Sequence, residues 1–243
     1  IRLGVTGVTS NPTIFEKAIS GSTDYDEAMV SLASLGYDSK DTYEKLAMED
    51  ICSVADLLLP TYDITQGRDG YASIEVNPRL AHNTGATITE AERLFSTLNR
   101  PNIMIKVPAT PEGITAVRAL ISKGVNVNVT LIFSLEAYAQ VMEAYLSGLE
   151  NLCGSGGELD RVASVASFFV SRVDTVVDTL LQEYSRQGPK ESAHLLGKVA
   201  IANAKVAYEV YKKIIRDERF IALQEKGARP QRLLWASTST KNP

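Results

Sequence analysis

The chain has 243 residues, 44% of them hydrophobic and 22% charged, which suits one large globular domain. Its net charge of -4 offers no basic surface for nucleic acid, and no apolar run is long enough to span a bilayer, so neither partner is predicted. Cys52 and Cys153 lie far apart and outside any metal-binding motif, so we expect a cytoplasmic protein without a disulfide framework or metal site.

Six short apolar or β-branched segments alternate with helical patterns along the chain. The predicted strands begin near Gly4, Tyr71, Asn102, Asn126, Arg161 and Leu233. A helical excursion at about 13–60 separates the first two strands, and its last helix is expected to end at Pro60. Thr89-x-x-Glu92 reads as a capping box that opens the next helix.

The third strand, which is otherwise apolar, carries one charged residue, Lys106. Alternation along a strand puts Lys106 on the same face as Met104, while Ile103, Ile105 and Val107 take the other face. Burial removes water from an ammonium group and so favours the uncharged, nucleophilic amine. The alternative is a strand-end lysine that reaches water or pairs with a carboxylate.

Polar residues also alternate with apolar ones in two other strands. Glu75 is an inward carboxylate opposite the face of Ile74 and Val76. In the fourth strand, one face carries Asn126, Asn128 and Thr130, and the other carries Val127, Val129 and Leu131. Several buried polar groups on one face need mutual pairing or a function.

Strands that alternate with helices form a parallel sheet whose carboxyl ends meet at one rim. A doubly wound sheet would carry a glycine-rich nucleotide motif after its first strand, and neither GxGxxG nor GxxxxGK[ST] occurs. The pattern therefore favours an α/β fold of the (β/α)8 TIM-barrel type, with residues 1–243 as a single domain. Six strands also predict that the first and last barrel strands are missing from this chain.

Five motifs, in this order and spacing, resemble those of the transaldolase family. They are Gly7–Thr13, Ser73–Val76, Ile103–Pro108, Asn126–Ser134 and Trp235–Ser237. The resemblance implies a TIM barrel, Schiff-base chemistry without metal or cofactor, and sugar-phosphate substrates of the pentose phosphate pathway. The family's acid/base aspartate lies upstream of the first motif and is missing here.

Residue by residue, the resemblance implies three groups of site residues. The catalytic group is Lys106 as the imine-forming lysine, with Glu75 and Thr130 holding a catalytic water. Asn11 and Asn128 contact the dihydroxyacetone hydroxyls, and Ser167 makes another substrate contact. Arg172 binds the phosphate, with Ser237 as its partner. Many relatives have an arginine two residues after this serine; the chain does not, and Lys241 is assigned a phosphate contact instead.

Plainer interpretations stay open for several of these residues. Asn128 and Thr130 could be satisfied polar core residues, Ser237 a helix cap, and Arg172 one half of a surface ion pair. For the whole chain, the resemblance predicts transfer of a dihydroxyacetone unit from sedoheptulose 7-phosphate to glyceraldehyde 3-phosphate. The alternatives are an aldolase that releases free dihydroxyacetone and an inactive barrel that only binds sugar phosphates.

Overall fold

The computed structural model describes residues 4–187 and 194–239, so Lys241 lies outside the described residues. All six predicted strands are present: β1 Gly7–Thr9, β2 Tyr71–Glu75, β3 Ile103–Pro108, β4 Val127–Ile132, β5 Ser164–Phe169 and β6 Arg232–Ala236. They pair in chain order and every pair is parallel. The sheet curls into a half-barrel without the order reversal of a doubly wound fold.

Helices connect the strands throughout the described residues. They are α1 Pro12–Gly21, α2 Asp26–Ser34, α3 Ser39–Ile64, α4 Thr84–Leu98, α5 Pro111–Ser122, α6 Leu135–Gly154, α7 Ser171–Gln187, α8 Val199–Ile214 and α9 Glu218–Gln224. Short 3-10 turns lie at Pro78–Leu80 and Leu159–Arg161. Within 4–187 and 194–239, no helix is both long and apolar enough to cross a membrane.

Two predicted helix boundaries are wrong. Helix α3 continues through Pro60 to Ile64, because a proline inside a helix can be outweighed by packing such as that of the buried Leu58. Helix α4 begins at Thr84, where the side chain of Asn83 accepts from the backbone N–H of Ala86 at 2.9 Å. Thr89 is therefore inside the helix rather than at its cap.

The two faces of the sheet differ as strand alternation predicts. The outer face packs against the helices through residues such as Ile74, Ile105 and Val129. The inner face carries a small apolar cluster near the amino ends of the strands, which includes Met104 and Val165. The polar residues lie on this inner face towards the carboxyl ends, which places the predicted site at one rim.

The prediction for Leu131 is wrong. The β4–β5 register shifts between Val129 and Ile132, and Leu131 has φ +61° and is 38% exposed. Ile132 takes the buried position on the outer face in its place. A positive φ at a residue with a Cβ stores backbone strain, and here it falls directly after Thr130.

Arg219 of α9 joins two carboxylates of α6. It contacts Glu143 at 2.7 Å and Glu150 at 2.5 Å, with all three side chains partly exposed. Hydrogen bonds from the guanidinium lower the pKa of both carboxyls. Depressed folded-state pKa values stabilise the fold above the unfolded carboxyl pKa, and that stabilisation is lost as the pH falls through the folded values.

Replacing Arg219 by Gln is therefore expected to lower the free energy of unfolding by about 1 kcal/mol at neutral pH, a solvent-screened magnitude. The difference from the wild type should shrink towards zero as both carboxylates become protonated. The difference in free energy of unfolding is measured by urea unfolding of both proteins in steps from pH 7 to pH 3. A difference that stays constant with pH would mean that Arg219 stabilises by packing rather than by charge.

Candidate active site

Lys106 is the centre of the polar inner face. The β2–β3 register sets Glu75 opposite Lys106, and the Nζ of the lysine lies 3.1 Å from Glu75 Oε2. The same nitrogen donates to the backbone carbonyl of Ser10 at 2.8 Å, and only 7% of the lysine is exposed. The lysine thus does not reach out to water. It pairs with a partly buried carboxylate, which fits a nucleophile as well as a structural ion pair.

A hydrogen-bonded chain of side chains lies beside this pair. The β3–β4 register sets Asn128 opposite Lys106, and the Nδ2 of Asn128 donates to Ser73 Oγ at 3.2 Å. Ser167 Oγ donates to Asn128 Oδ1 at 2.7 Å, so the amide bridges β2 and β5. All three are almost fully buried. The amide is therefore fixed in orientation, with one N–H bond left to donate.

Thr130 lies one step further towards the carboxyl end of β4. It is 3% exposed and pairs with Pro108 of β3, two residues after Lys106. Its hydroxyl makes no hydrogen bond to any residue in 4–187 or 194–239. A satisfied core residue would have its hydroxyl paired, so that interpretation does not fit Thr130, whereas both polar atoms of the Asn128 amide have a partner.

Asn11 follows β1 and serves first as a helix cap. Its side-chain oxygen accepts from the backbone N–H of Ile14 at 3.0 Å at the start of α1. It also lines a groove of about 1010 Å³ between α1, α3, α4 and the end of β2. Glu75 and Ser10 line the same groove, whereas Lys106 does not. The structure thus brings Asn11 to the edge of the site, with its amide nitrogen available to a ligand.

Arg172 and Ser237 lie together at the start of α7. The backbone N–H of Ser171 donates to the Ser237 carbonyl at 2.7 Å, and the two serine hydroxyls are 2.9 Å apart. Arg172 is exposed, with its guanidinium 5.1 Å from the centre of the Phe169 ring. It forms no ion pair with any described residue, so the surface ion pair considered above is not formed there.

Three serines of the site did not stand out in the sequence. Ser10 contributes its carbonyl, Ser73 its hydroxyl and Ser171 both its hydroxyl and its N–H. Backbone contacts carry no side-chain signal, although Ser73 does share the alternating face of Glu75. No group of His, Cys, Asp and Glu that could hold a metal occurs within the described part of the chain.

Comparison with known proteins places these residues in a family context. The family model described as transaldolase/fructose-6-phosphate aldolase matches residues 1–243. Similar curated proteins are a transaldolase of Trichodesmium erythraeum (49% identity; 99% of this chain and 64% of the relative) and one of Saccharopolyspora erythraea (51%; 98% and 63%). A transaldolase 2 of Nostoc punctiforme is 48% identical over 99% of this chain and 65% of its own. The chain thus spans a little under two thirds of the length of these relatives.

Proposed function

This chain belongs to the transaldolase/fructose-6-phosphate aldolase family, and on that premise we propose that it transfers a dihydroxyacetone unit from sedoheptulose 7-phosphate to glyceraldehyde 3-phosphate. The observation that carries the proposal is a buried lysine amine 3.1 Å from a partly buried carboxylate, beside a fixed amide at one rim of a parallel sheet. Enzymes of barrel type do their chemistry at this rim.

Lys106 is the proposed nucleophile. The neutral amine attacks the ketose carbonyl, and the carbinolamine loses water to give an iminium ion. The hydroxyl beyond the adjacent carbon–carbon bond passes its proton to the water at Glu75, the bond breaks, an aldose leaves, and the iminium ion accepts the electron pair as an enamine. The enamine carbon then attacks the acceptor aldehyde, whose oxygen takes the proton back, and hydrolysis of the new iminium ion releases the product and the lysine. Glu75 is close enough to take the proton that the amine gives up and to return it when water leaves. We propose that Thr130 and Glu75 hold the water that carries this proton.

The other site residues are proposed to orient the substrate. Asn128 and Asn11 each have an amide nitrogen that can donate to a hydroxyl of the dihydroxyacetone unit, and Ser167 fixes Asn128. A polar group held in place by neighbours loses little freedom when the substrate binds. The proposal needs no metal or cofactor, because the iminium nitrogen is itself the electron sink.

The phosphate is proposed to bind at Arg172 and Ser237. The start of a helix carries the positive end of its dipole, which favours anions, and α7 starts at Ser171, beside Ser237. A guanidinium adds two parallel hydrogen bonds to phosphate. Lys241 stays a prediction for the same group.

Replacing Arg172 by Ala is expected to raise KM for fructose 6-phosphate roughly 10- to 100-fold, since a charge-assisted hydrogen bond is lost. The value of kcat should change much less, because a remote phosphate is bound alike in ground and transition states. Activity with unphosphorylated fructose should stay at the wild-type level. Arg186→Ala, at the other end of α7, is the matched control. An equal loss of activity with fructose 6-phosphate and with fructose would argue against a phosphate role for Arg172.

Acceptor dependence separates the proposed transferase from its alternatives. The family description names fructose-6-phosphate aldolase as well as transaldolase, and an aldolase turns over without an aldose acceptor. We expect fructose 6-phosphate to be consumed only after erythrose 4-phosphate is added, with sedoheptulose 7-phosphate as a product. Free dihydroxyacetone without acceptor would identify an aldolase, and ligand binding without turnover an inactive barrel.

The complete barrel, the metabolic pathway and the cellular compartment are also proposals. We propose a single eight-stranded barrel domain, of which the six described strands form part, and a place in the pentose phosphate pathway of the cytoplasm. The sequential parallel order of the strands supports the barrel. The free Cys52 and Cys153 suit a reducing compartment.

A further inference from the structure

We infer that Ser10 is a positioning residue that sets the direction from which the Lys106 amine attacks, an inference that rests on the imine chemistry proposed above. Among the described residues, the lysine Nζ has two acceptors: the Ser10 carbonyl at 2.8 Å and Glu75 Oε2 at 3.1 Å. One acceptor comes from the end of β1 and the other from the end of β2, so they approach the nitrogen from different elements.

A neutral lysine amine has two N–H bonds and can therefore donate to two acceptors. A neutral lysine nitrogen is tetrahedral, with two N–H bonds and one lone pair besides its bond to carbon. When both N–H bonds point at fixed acceptors, the lone pair has one direction left. Because the amine attacks along its lone pair, Ser10 and Glu75 together define the line on which the ketose carbonyl must lie.

The orientation of the Ser10 carbonyl is fixed by the hydrogen bonds of Ser10 and by the backbone conformation of Asn11. Its own hydroxyl and N–H both donate to the carbonyl of Ser73 on β2, at 2.8 Å and 3.2 Å, and Ser10 is 5% exposed. On the other side, Asn11 is extended at φ -152° and ψ 164°, the conformation favoured before Pro12. The peptide that carries the acceptor therefore has little freedom to rotate, and the Ser10 hydroxyl is one of the groups that fix it.

Ser10→Ala keeps the carbonyl but removes the hydroxyl that anchors it. We expect the rate at which borohydride traps fructose 6-phosphate on Lys106 to fall roughly 10- to 100-fold, the scale of a misaligned reacting group. The dissociation constant for the ketose should change by no more than about twofold, because orientation of the amine affects reaction more than binding. Ser10→Thr retains the hydroxyl and should recover most of the trapping rate.

Ser164→Ala is the matched control. Ser164 is a strand serine, 3% exposed, whose hydroxyl donates to the carbonyl of Val127 on the neighbouring strand at 2.7 Å and accepts from Gln231 Nε2 at 2.7 Å. Ser164→Ala should lose at least as much stability as Ser10→Ala while trapping ketose at the wild-type rate. If Ser10→Ala does not fold, Ser10→Cys, which is similar in size and a weaker donor, takes its place.

The trapping experiments distinguish a failure of the proposed imine mechanism from a failure of the positioning role of Ser10. If the wild type forms no trapped adduct on Lys106, the imine mechanism is wrong and the inference falls with it. If the wild type traps ketose and Ser10→Ala traps it equally fast, only the positioning role is refuted. An equal fall in Ser164→Ala, or no recovery in Ser10→Thr, would reduce Ser10 to a stabilising residue and also refute that role.

Discussion

Lys106→Arg is expected to lower turnover by orders of magnitude and to abolish borohydride trapping. Arginine keeps the cation, so the pairing with Glu75 can persist in the buried site. Its guanidinium does not lose a proton at any accessible pH and therefore provides no nucleophilic amine. The chemistry should fail while the fold remains. Steady-state assay with both sugar phosphates, followed by peptide mass mapping of the reduced adduct, measures the two effects.

The control for this variant is another lysine ion pair of the same molecule. Lys123 pairs with Glu92 on the surface, and Lys123→Arg should leave turnover and trapping unchanged. Retained activity in Lys106→Arg would refute the nucleophile assignment. An adduct on a different lysine of an active wild type would refute it equally, and would leave Lys106 as one half of a buried structural ion pair.

Much of the inner face could be predicted from the sequence because strands have a fixed period of two. That period placed Glu75, Lys106 and Asn128 on one face, and the strand register then sets them opposite one another. No local pattern, however, indicates register itself. The pairing of Lys106 with Glu75 follows from the register of β2 against β3, which only the fold specifies.

The features that escaped prediction depend on backbone geometry or on contacts between distant segments. Leu131 breaks the alternation through a positive φ that its residue type does not favour. The contact of Ser171 with Ser237 joins residues 66 apart in the chain. The acceptor on Ser10 is a carbonyl, a group that every residue has. Sequence thus indicates which side chains share a face, and the fold decides which backbone groups meet them.

Gly113→Ala is expected to destabilise the fold next to the site. Gly113 lies in the first turn of α5, where its N–H donates to Thr110 Oγ1 at 3.0 Å. A Cβ at this position would stand 2.0 Å from the Pro108 carbonyl oxygen and 2.9 Å from Thr110 Oγ1. The first of these is a backbone atom, so the helix start and the end of β3 must move apart. Overpacking of this kind lowers the free energy of unfolding by about 1–3 kcal/mol.

The matched control is Gly85→Ala, in the first turn of α4. There the nearest atom to an added Cβ is Asn83 Oδ1 at 3.8 Å, an ordinary contact, and alanine is the better helix former. Urea unfolding should therefore show Gly85→Ala equal to the wild type or slightly more stable, and Gly113→Ala clearly less stable. Because Pro108 ends the strand that carries Lys106, Gly113→Ala should also slow the trapping of ketose. If it unfolds like the control and traps at the wild-type rate, then α5 and β3 can separate at little cost, and their close contact does not position the lysine.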